Sequence, residues 1–347
     1  MHMISRMKRI PVIDWVIIVL LLVMLVVFAN SYNRYHATKV VTTPTVSRYG
    51  FVGDGSIDNP YLLSDALDIR YLSELVNAGN TFYGRYFQFT NDIDMTGVTI
   101  TPIGQIGGGK YFYGILDGNG YVLKNITVST SGDGGGLFGI LGGTVMNLGI
   151  EDGYIGNADY SGSVGAIAGQ SASDNARIIN CYNTATVAGY RAGGIADDFS
   201  GLIYNCWSDC ELIGVEVGGT TSRISAPGTQ VFCYSTTTLV NDGSGTWYNC
   251  NQLSPDELYT KSMARMLSLD CLVWAETKTP LNQFNRWIYE DGILTLSNEK
   301  MSVLNLADYF WCIVYSYRQY TRLMIMTTLI FISIIITIVV YRRRNNL

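Results

Sequence analysis

Histidine is almost absent from this sequence: His2 and His36 are the only two in 347 residues. Neither falls in residues 50–297, so no Ser–His–Asp or Cys–His nucleophile can be assembled there. The same scarcity argues against a thiolate metal centre with histidine partners. Phosphate-binding glycine loops are missing too. The glycine triplets at 107–109 and 134–136 are followed neither by Lys-Ser/Thr nor by a helical pattern. Basic charge is scarce in the middle of the chain, where residues 30–322 hold 17 Lys and Arg against 27 Asp and Glu, a formal charge of −10. That balance argues against nucleic acid or anionic lipid as the main partner.

Charge is lacking altogether in residues 323–341, and residues 11–29 contain a single charged side chain, Asp14. Each run is about the length a helix needs to cross a hydrocarbon core of about 30 Å. Arg6, Lys8 and Arg9 precede the first run, and Arg342, Arg343 and Arg344 follow the second. The positive-inside rule then puts both termini in the cytoplasm and exports what lies between. The expected layout is a cytoplasmic N-terminus (1–10), an anchor (11–29), a polar stalk (30–49), an extracellular domain (50–297), a juxtamembrane segment (298–322), a second span (323–341) and a cytoplasmic tail (342–347). The juxtamembrane segment carries Tyr309, Phe310, Trp311, Tyr315, Tyr317 and Tyr320, suited to a membrane interface. Val27-Phe28-Ala29 leaves a cleavable signal peptide open as the other reading of the first run.

What the exported stretch has in plenty is glycine and short β-rich pieces. Residues 104–220 contain 27 glycines in 117 positions, and no stretch from Tyr83 to Cys250 holds a useful helical period, so the reading is all-β with frequent turns. The pieces recur. Cys181, Cys206 and Cys233 follow equivalent apolar segments at intervals of 25 and 27 residues, with Leu148 in the comparable place one unit earlier. Such a period fits one coil of a right-handed parallel β-helix, with coils about 4.8 Å apart, so that like side chains stack in columns. Residues 85–250 make roughly six or seven coils at this period, a rod about 30 Å long. A capping helix is expected over 64–78, with Ser64 as N-cap, Leu67, Tyr71, Leu72 and Leu75 as the apolar stripe and Gly79 as the stop. Residues 254–269 look helical, and 285–297 look like a hairpin closing the far end. The cysteines fit two readings: small apolar residues filling a column, or staples pairing Cys206 with Cys210 or Cys210 with Cys233.

Several segments resemble the GLUG repeat family of bacterial surface proteins, over about 70% of the chain. GDGSIDNPYLLSDALDIRYLSELVNAGNTFYGRYFQFTNDIDMTG resembles that family's opening. FYGILDGNGYVLKNITV resembles its first full coil, and GGLFGILGGTVMNLGI is close to the namesake repeat. ARIINCYNTATVAG and AGGIAD follow its NCYN…GGI form, and LNQFNRW…DGILTL resembles its closing segment. GAIAG and GGTTSRI depart from the regular glycine pattern, and membrane runs at both ends are not expected of the family. The resemblance implies a β-helix and a surface location, and little about chemistry.

Candidate chemistry is thin. Asp92 and Asp94 alternate on one strand and so face the same side, as a general acid–base pair requires, although Asp in such places more often bonds its own backbone in a turn. Asp197 and Asp198 are a weaker case of the same kind. Arg85, Lys110, Lys124, Arg177, Arg191 and Arg223 are scattered, and nothing in the sequence gathers them. Tyr111, Phe112, Tyr113, Tyr154, Tyr160, Tyr190, Trp207 and Trp247 are aromatics of the coils, and of these Tyr111, Tyr113, Tyr154, Tyr160, Tyr190 and Trp207 are the candidates to face a ligand. No catalytic set, cofactor or metal site is expected. The reading that follows is a membrane-anchored, non-enzymatic surface module for binding, adhesion or envelope structure, with the membrane and a surface glycan or another surface protein as partners and no nucleic acid. The alternatives are a surface polysaccharide lyase or hydrolase, and a subunit pairing through its membrane helices, with Cys312 at that interface.

Overall fold

The structure, a computed structural model, describes residues 47–130, 132–156, 161–239, 243–275 and 283–301. They belong to one compact unit, Thr45–Leu347; the other unit, Met1–Pro44, lies outside the described residues. Also outside them are both apolar runs, the stalk before Ser47, Tyr160, Cys312 and the aromatic segment from residue 302 on. Among the described residues, no helix is long and apolar enough to cross a membrane.

The described chain is a parallel β-solenoid built from strands of two to eight residues. One strand from each pass adds to an eight-stranded first sheet: Tyr61–Leu63, Tyr86–Phe89, Ile115–Asp117, Thr144–Met146, Arg177–Ile179, Leu202–Tyr204, Thr229–Val231 and Thr246–Tyr248. Register stacks Phe87, Leu116, Val145, Ile178 and Ile203 into one inward column, each no more than 1% exposed. Burial stabilises each such side chain by roughly 1.5–3 kcal/mol.

At the corner after this sheet, Asn147, Asn180 and Asn205 take left-handed backbone with φ of 53°, 57° and 54°. That conformation costs most side chains about 1–2 kcal/mol and Asn less. The three amides stack. Asn205 Nδ2 donates to Asn180 Oδ1 at 2.9 Å, Asn180 Nδ2 to Asn147 Oδ1 at 2.8 Å, and Asn147 Nδ2 to Asp117 Oδ1 at 2.8 Å. The next position holds Leu148, Cys181, Cys206 and Cys233, all fully buried. Their column is fixed by the flanking register Gly149–Tyr182–Trp207–Tyr234. The cysteines therefore fill a ladder, and all six described cysteines are free thiols rather than the staples considered as the alternative. On the opposite corner, Gly165, Gly193 and Gly218 are in register. A Cβ at any of them would overlap the carbonyl oxygens of Ala168, Ala196 or Thr221, so the repeated glycine is a space requirement.

Helix α1 (Ala66–Asn77) packs on the first coil, as expected, with two corrections. Asp65, not Ser64, is its N-cap: Asp65 Oδ1 accepts from the amides of Leu67 and Asp68 at 2.9 and 3.0 Å, and Asp68 reaches back to the amide of Asp65. A carboxylate takes two amides of the first turn at once, and Ser64 instead donates to Asp68. The buried face is Ile69, Leu72, Ser73 and Val76, while Leu67 and Tyr71 are 54% and 40% exposed. Two overlapping stripes exist in this sequence, and the coil selects the one that includes Ser73, whose hydroxyl donates to the carbonyl of Thr101 at 2.8 Å.

The C-terminal part departs most from expectation. Helices α2 (Pro255–Leu258) and α3 (Lys261–Ala275) are followed by an antiparallel hairpin, Asn285–Glu290 with Ile293–Lys300. This module does not close the far end. It lies along the side of the coils, over the asparagine corner. Each stacked Asn gives its second N–H to it: Asn147 to Gln283 O at 2.8 Å, Asn180 to Asn285 O at 3.1 Å and Asn205 to Leu267 O at 2.9 Å. The amides are thus used in both directions, along the stack and across to the module.

Candidate functional site

The module turns one outer face of the first sheet into a groove. Outward side chains of four successive strands form its floor: Tyr86 and Gln88, Ile115 and Asp117, Thr144 and Met146, Arg177 and Ile179. Ile57 and Pro60 from the loop before the first strand also line it, as do Gln283 and Lys300 of the module. The groove has a volume of about 330 Å³, and four strands span roughly 14 Å along the axis.

Its charged groups have different fates. Lys300 Nζ donates to Asp117 Oδ2 at 2.6 Å, Asn285 Oδ1 at 2.7 Å and the carbonyl of Gln283 at 3.2 Å. All three N–H bonds of the ammonium are therefore used. Burial pulls the Lys300 pKa below its ordinary value, and the neighbouring Asp117 carboxylate opposes that shift. Asp117 also accepts from the amide of Asn119 and from Asn147, each at 2.8 Å. Arg177 is the exception. It is half-buried, and its guanidinium has no hydrogen-bond or ion-pair partner among the described residues.

Alternation continues the same face beyond the strand, so that Tyr111, Tyr113, Ile115 and Asp117 all sit on the outer side, with Phe112 and Leu116 inside. Tyr111 and Tyr113 have ring centroids 6.2 Å apart, and Tyr113 lies 6.4 Å from Tyr83, which is 81% exposed. Two of the aromatics singled out from sequence are thus brought together beside the groove, with Tyr83 as a third member the repeat pattern did not flag. Tyr190 stands apart, 48% exposed, and Tyr154 sits between Thr127 and Thr186 in the second sheet. Trp207, expected to face a ligand, is buried at 1% exposure. It stacks on Tyr182 at 4.7 Å and meets Tyr259 and Trp287 of the module. It points outward from its coil, and the module covers it. Phe112 is fully buried and Trp247 half-buried, so neither is free.

The acidic pair does face one side, and both members are engaged. Asp92 pairs with Lys124 at 2.9 Å and accepts from the amide of Val122 at 3.0 Å. Asp94 accepts from Asn125 at 2.9 Å and from Thr96 in a local turn. Those hydrogen bonds, Asn125 first, hold its carboxyl down at about 2. This is turn chemistry. Asp197 is buried beside Arg191 at 3.3 Å and Ser222; burial pushes its carboxyl up, against both partners. Of the scattered cations, Lys124 and Arg191 are thus committed to structure.

Comparison with known proteins gives little more. No protein-family model matches the chain. A stretch of 180 residues is 31% identical to halomucin of Haloquadratum walsbyi; it covers 48% of this chain and 2% of that protein. A crystal structure of a candidate immunoglobulin A1 protease from Bacteroides ovatus covers 72% of this chain and 95% of its own length, with a TM-score of 0.41 and 19% identity. A likeness at that level carries no argument about activity.

Proposed function

We propose that this chain is a surface β-helix of the GLUG-repeat kind, held to the plasma membrane by its two apolar runs, that binds a ligand in the groove without converting it. The observation that carries this reading is the division of labour among the charges. Arg177 is free to hold a ligand, whereas Lys300 and Asp117 are locked in hydrogen bonds. A fully donated ammonium has no lone pair with which to take a proton, and the Asp117 carboxylate already holds three donors. The repeat segments and the flanking runs support the surface location. The test is a screen of the full-length protein in detergent against arrayed glycans and surface proteins, with protease protection in intact cells to establish which parts are outside. A binder that loses its ligand when Tyr86 and Arg177 are replaced fits the proposal. Any soluble fragment must run past Met301, because Lys300 is part of the groove.

One observation favours a second reading. Tyr86, Arg177 and Lys300 line the same groove, and an Arg/Lys/Tyr set is one means of eliminating across an acidic sugar. Incubating the protein with a uronate polymer and following the ultraviolet absorbance of unsaturated chain ends decides it. Steady product formation would replace the binding reading with a lyase.

A further inference from the structure

We infer that the groove is selective for an acidic glycan and that Arg177 is the residue that reads the acid. The inference rests on the binding reading above and names its ligand class. The groove has a net positive charge in a domain that is otherwise acidic: Lys300 and Asp117 neutralise each other at 2.6 Å, which leaves Arg177. A half-buried guanidinium without a partner among the described residues is poised for an anion. Its planar fork of donors matches a carboxylate or sulfate in two parallel hydrogen bonds, and such charge-assisted bonds are stronger than neutral ones.

The remaining lining selects the body that carries the anion. Gln88 and Thr144 offer amide and hydroxyl groups at the level of the floor, and Tyr86 offers a ring with a phenol. The outer face continues sideways into the rings of Tyr113 and Tyr83. Tyr86 and the apolar side chains of Ile57, Pro60, Ile115, Met146 and Ile179, interleaved with neutral hydrogen-bonding groups, suit a saccharide, which has apolar faces and hydroxyl edges. An extended acidic peptide is disfavoured for a specific reason. The strands flooring the groove are paired on both sides within the sheet, so they have no free backbone edge to extend by strand addition. The length of floor, roughly 14 Å, accepts more than one sugar unit of a chain.

The experiment is calorimetric titration of the full-length protein in detergent with polygalacturonate, neutral dextran and polyglutamate, at low and high salt. Polygalacturonate is expected to bind, dextran to bind more weakly, and affinity to fall as salt rises. Arg177→Gln should weaken polygalacturonate by about tenfold or more, and Arg177→Lys by less, because charge without the fork keeps only part of the interaction. The Arg177 guanidinium makes no hydrogen bond to the described residues, and its backbone bonds survive either substitution, so both variants should melt like the parent. Equal affinity for dextran, or Arg177→Gln binding like the parent, overturns the inference. Tighter binding of polyglutamate overturns it in favour of a peptide ligand. If the glycan screen finds a neutral ligand that needs Tyr86 but not Arg177, the acid inference fails and the binding proposal stands. If nothing in the screen binds, both fail together.

Discussion

The coils between Thr144 and Ser208 and the coil that follows them, with strands Thr229–Val231 and Tyr234–Ser235, carry out the same turn with different chemistry. In the middle coils the inward column is Val145, Ile178 and Ile203, and the left-handed corner is Asn each time. In that next coil the inward position goes to Gln230 and the left-handed corner to Phe232, with φ of 52°, before the final coil returns to Asn at Asn249. Gln230 remains fully buried because Thr220 and Thr221 satisfy its amide, Thr220 donating to its oxygen at 2.8 Å and its nitrogen donating to Thr221. Phe232 has no such compensation at its corner. The amide stack ends below it, and Asn205 Oδ1 is left buried without a hydrogen-bond partner among the described residues. The solenoid thus tolerates a polar core where every hydrogen bond is met, and loses its ladder where one side chain cannot take part.

Substitutions can break that contrast or remove it. The largest effect is expected from Asn180→Ala, which deletes two rungs of the stack and two bonds to the module, to Asn285 O and from Cys271 Sγ, while leaving Ala in left-handed backbone. A loss of about 3 kcal/mol is expected in chemical denaturation. Asn249→Ala, the exposed counterpart at the end, should cost about 1 kcal/mol from backbone conformation alone. Equal losses at the two positions would show that the stack contributes nothing.

Asp270, on the module's helix α3, tests the side cover rather than the coils. It is buried against Tyr204 and Tyr234 with Cys271 beside it, and among the described residues no cation pairs with it; its carboxyl accepts from the Tyr234 hydroxyl at 3.5 Å. Burial pushes its carboxyl well above the usual range. The folded chain therefore keeps this proton after the unfolded chain has released it. The associated stability is fully present below the ordinary carboxylate range and is lost as pH rises through the folded value. Asp270→Asn should flatten that part of the stability–pH curve, as read by denaturation midpoints across the window above pH about 4. An unchanged slope would mean that the acid is not buried in the native protein.

Phe232→Asn should convert this corner to the middle type. Asn accepts the left-handed conformation and can donate to the orphaned Asn205 oxygen, so a gain of about 1 kcal/mol is expected, reduced by lost contact with Tyr204. A net loss would show that the ring packing outweighs the stack. The smallest effect belongs to Arg177→Gln, which should leave stability within about 0.5 kcal/mol of the parent. A larger fall would give Arg177 a structural role.

Much of the coil was legible because stacking repeats a local pattern. The spacing of Cys181, Cys206 and Cys233 gave the period, and NCYN-like segments marked the corners where Asn both turns the chain and bonds its neighbour. The glycines of SVGAIAG and RAGGIAD marked the tight corner. The candidate site was much less legible. Arg177 read as one of several scattered cations, and Lys300 meets Asp117 across 183 residues. Trp207 read as an outward ring, which it is, but outward from a coil means exposed only where nothing else packs.

The sequence alone determined that the chain would wind into stacked coils, since each coil buries its apolar residues only against copies of itself and the repeat spells out that contact. Tertiary structure decided where the non-repeating C-terminal module went. It lies along the asparagine corner, burying Trp207 and walling the groove around Arg177. Those contacts join segments with no common pattern, matched only in shape and in hydrogen bonds, and no periodicity along the chain encodes such a match.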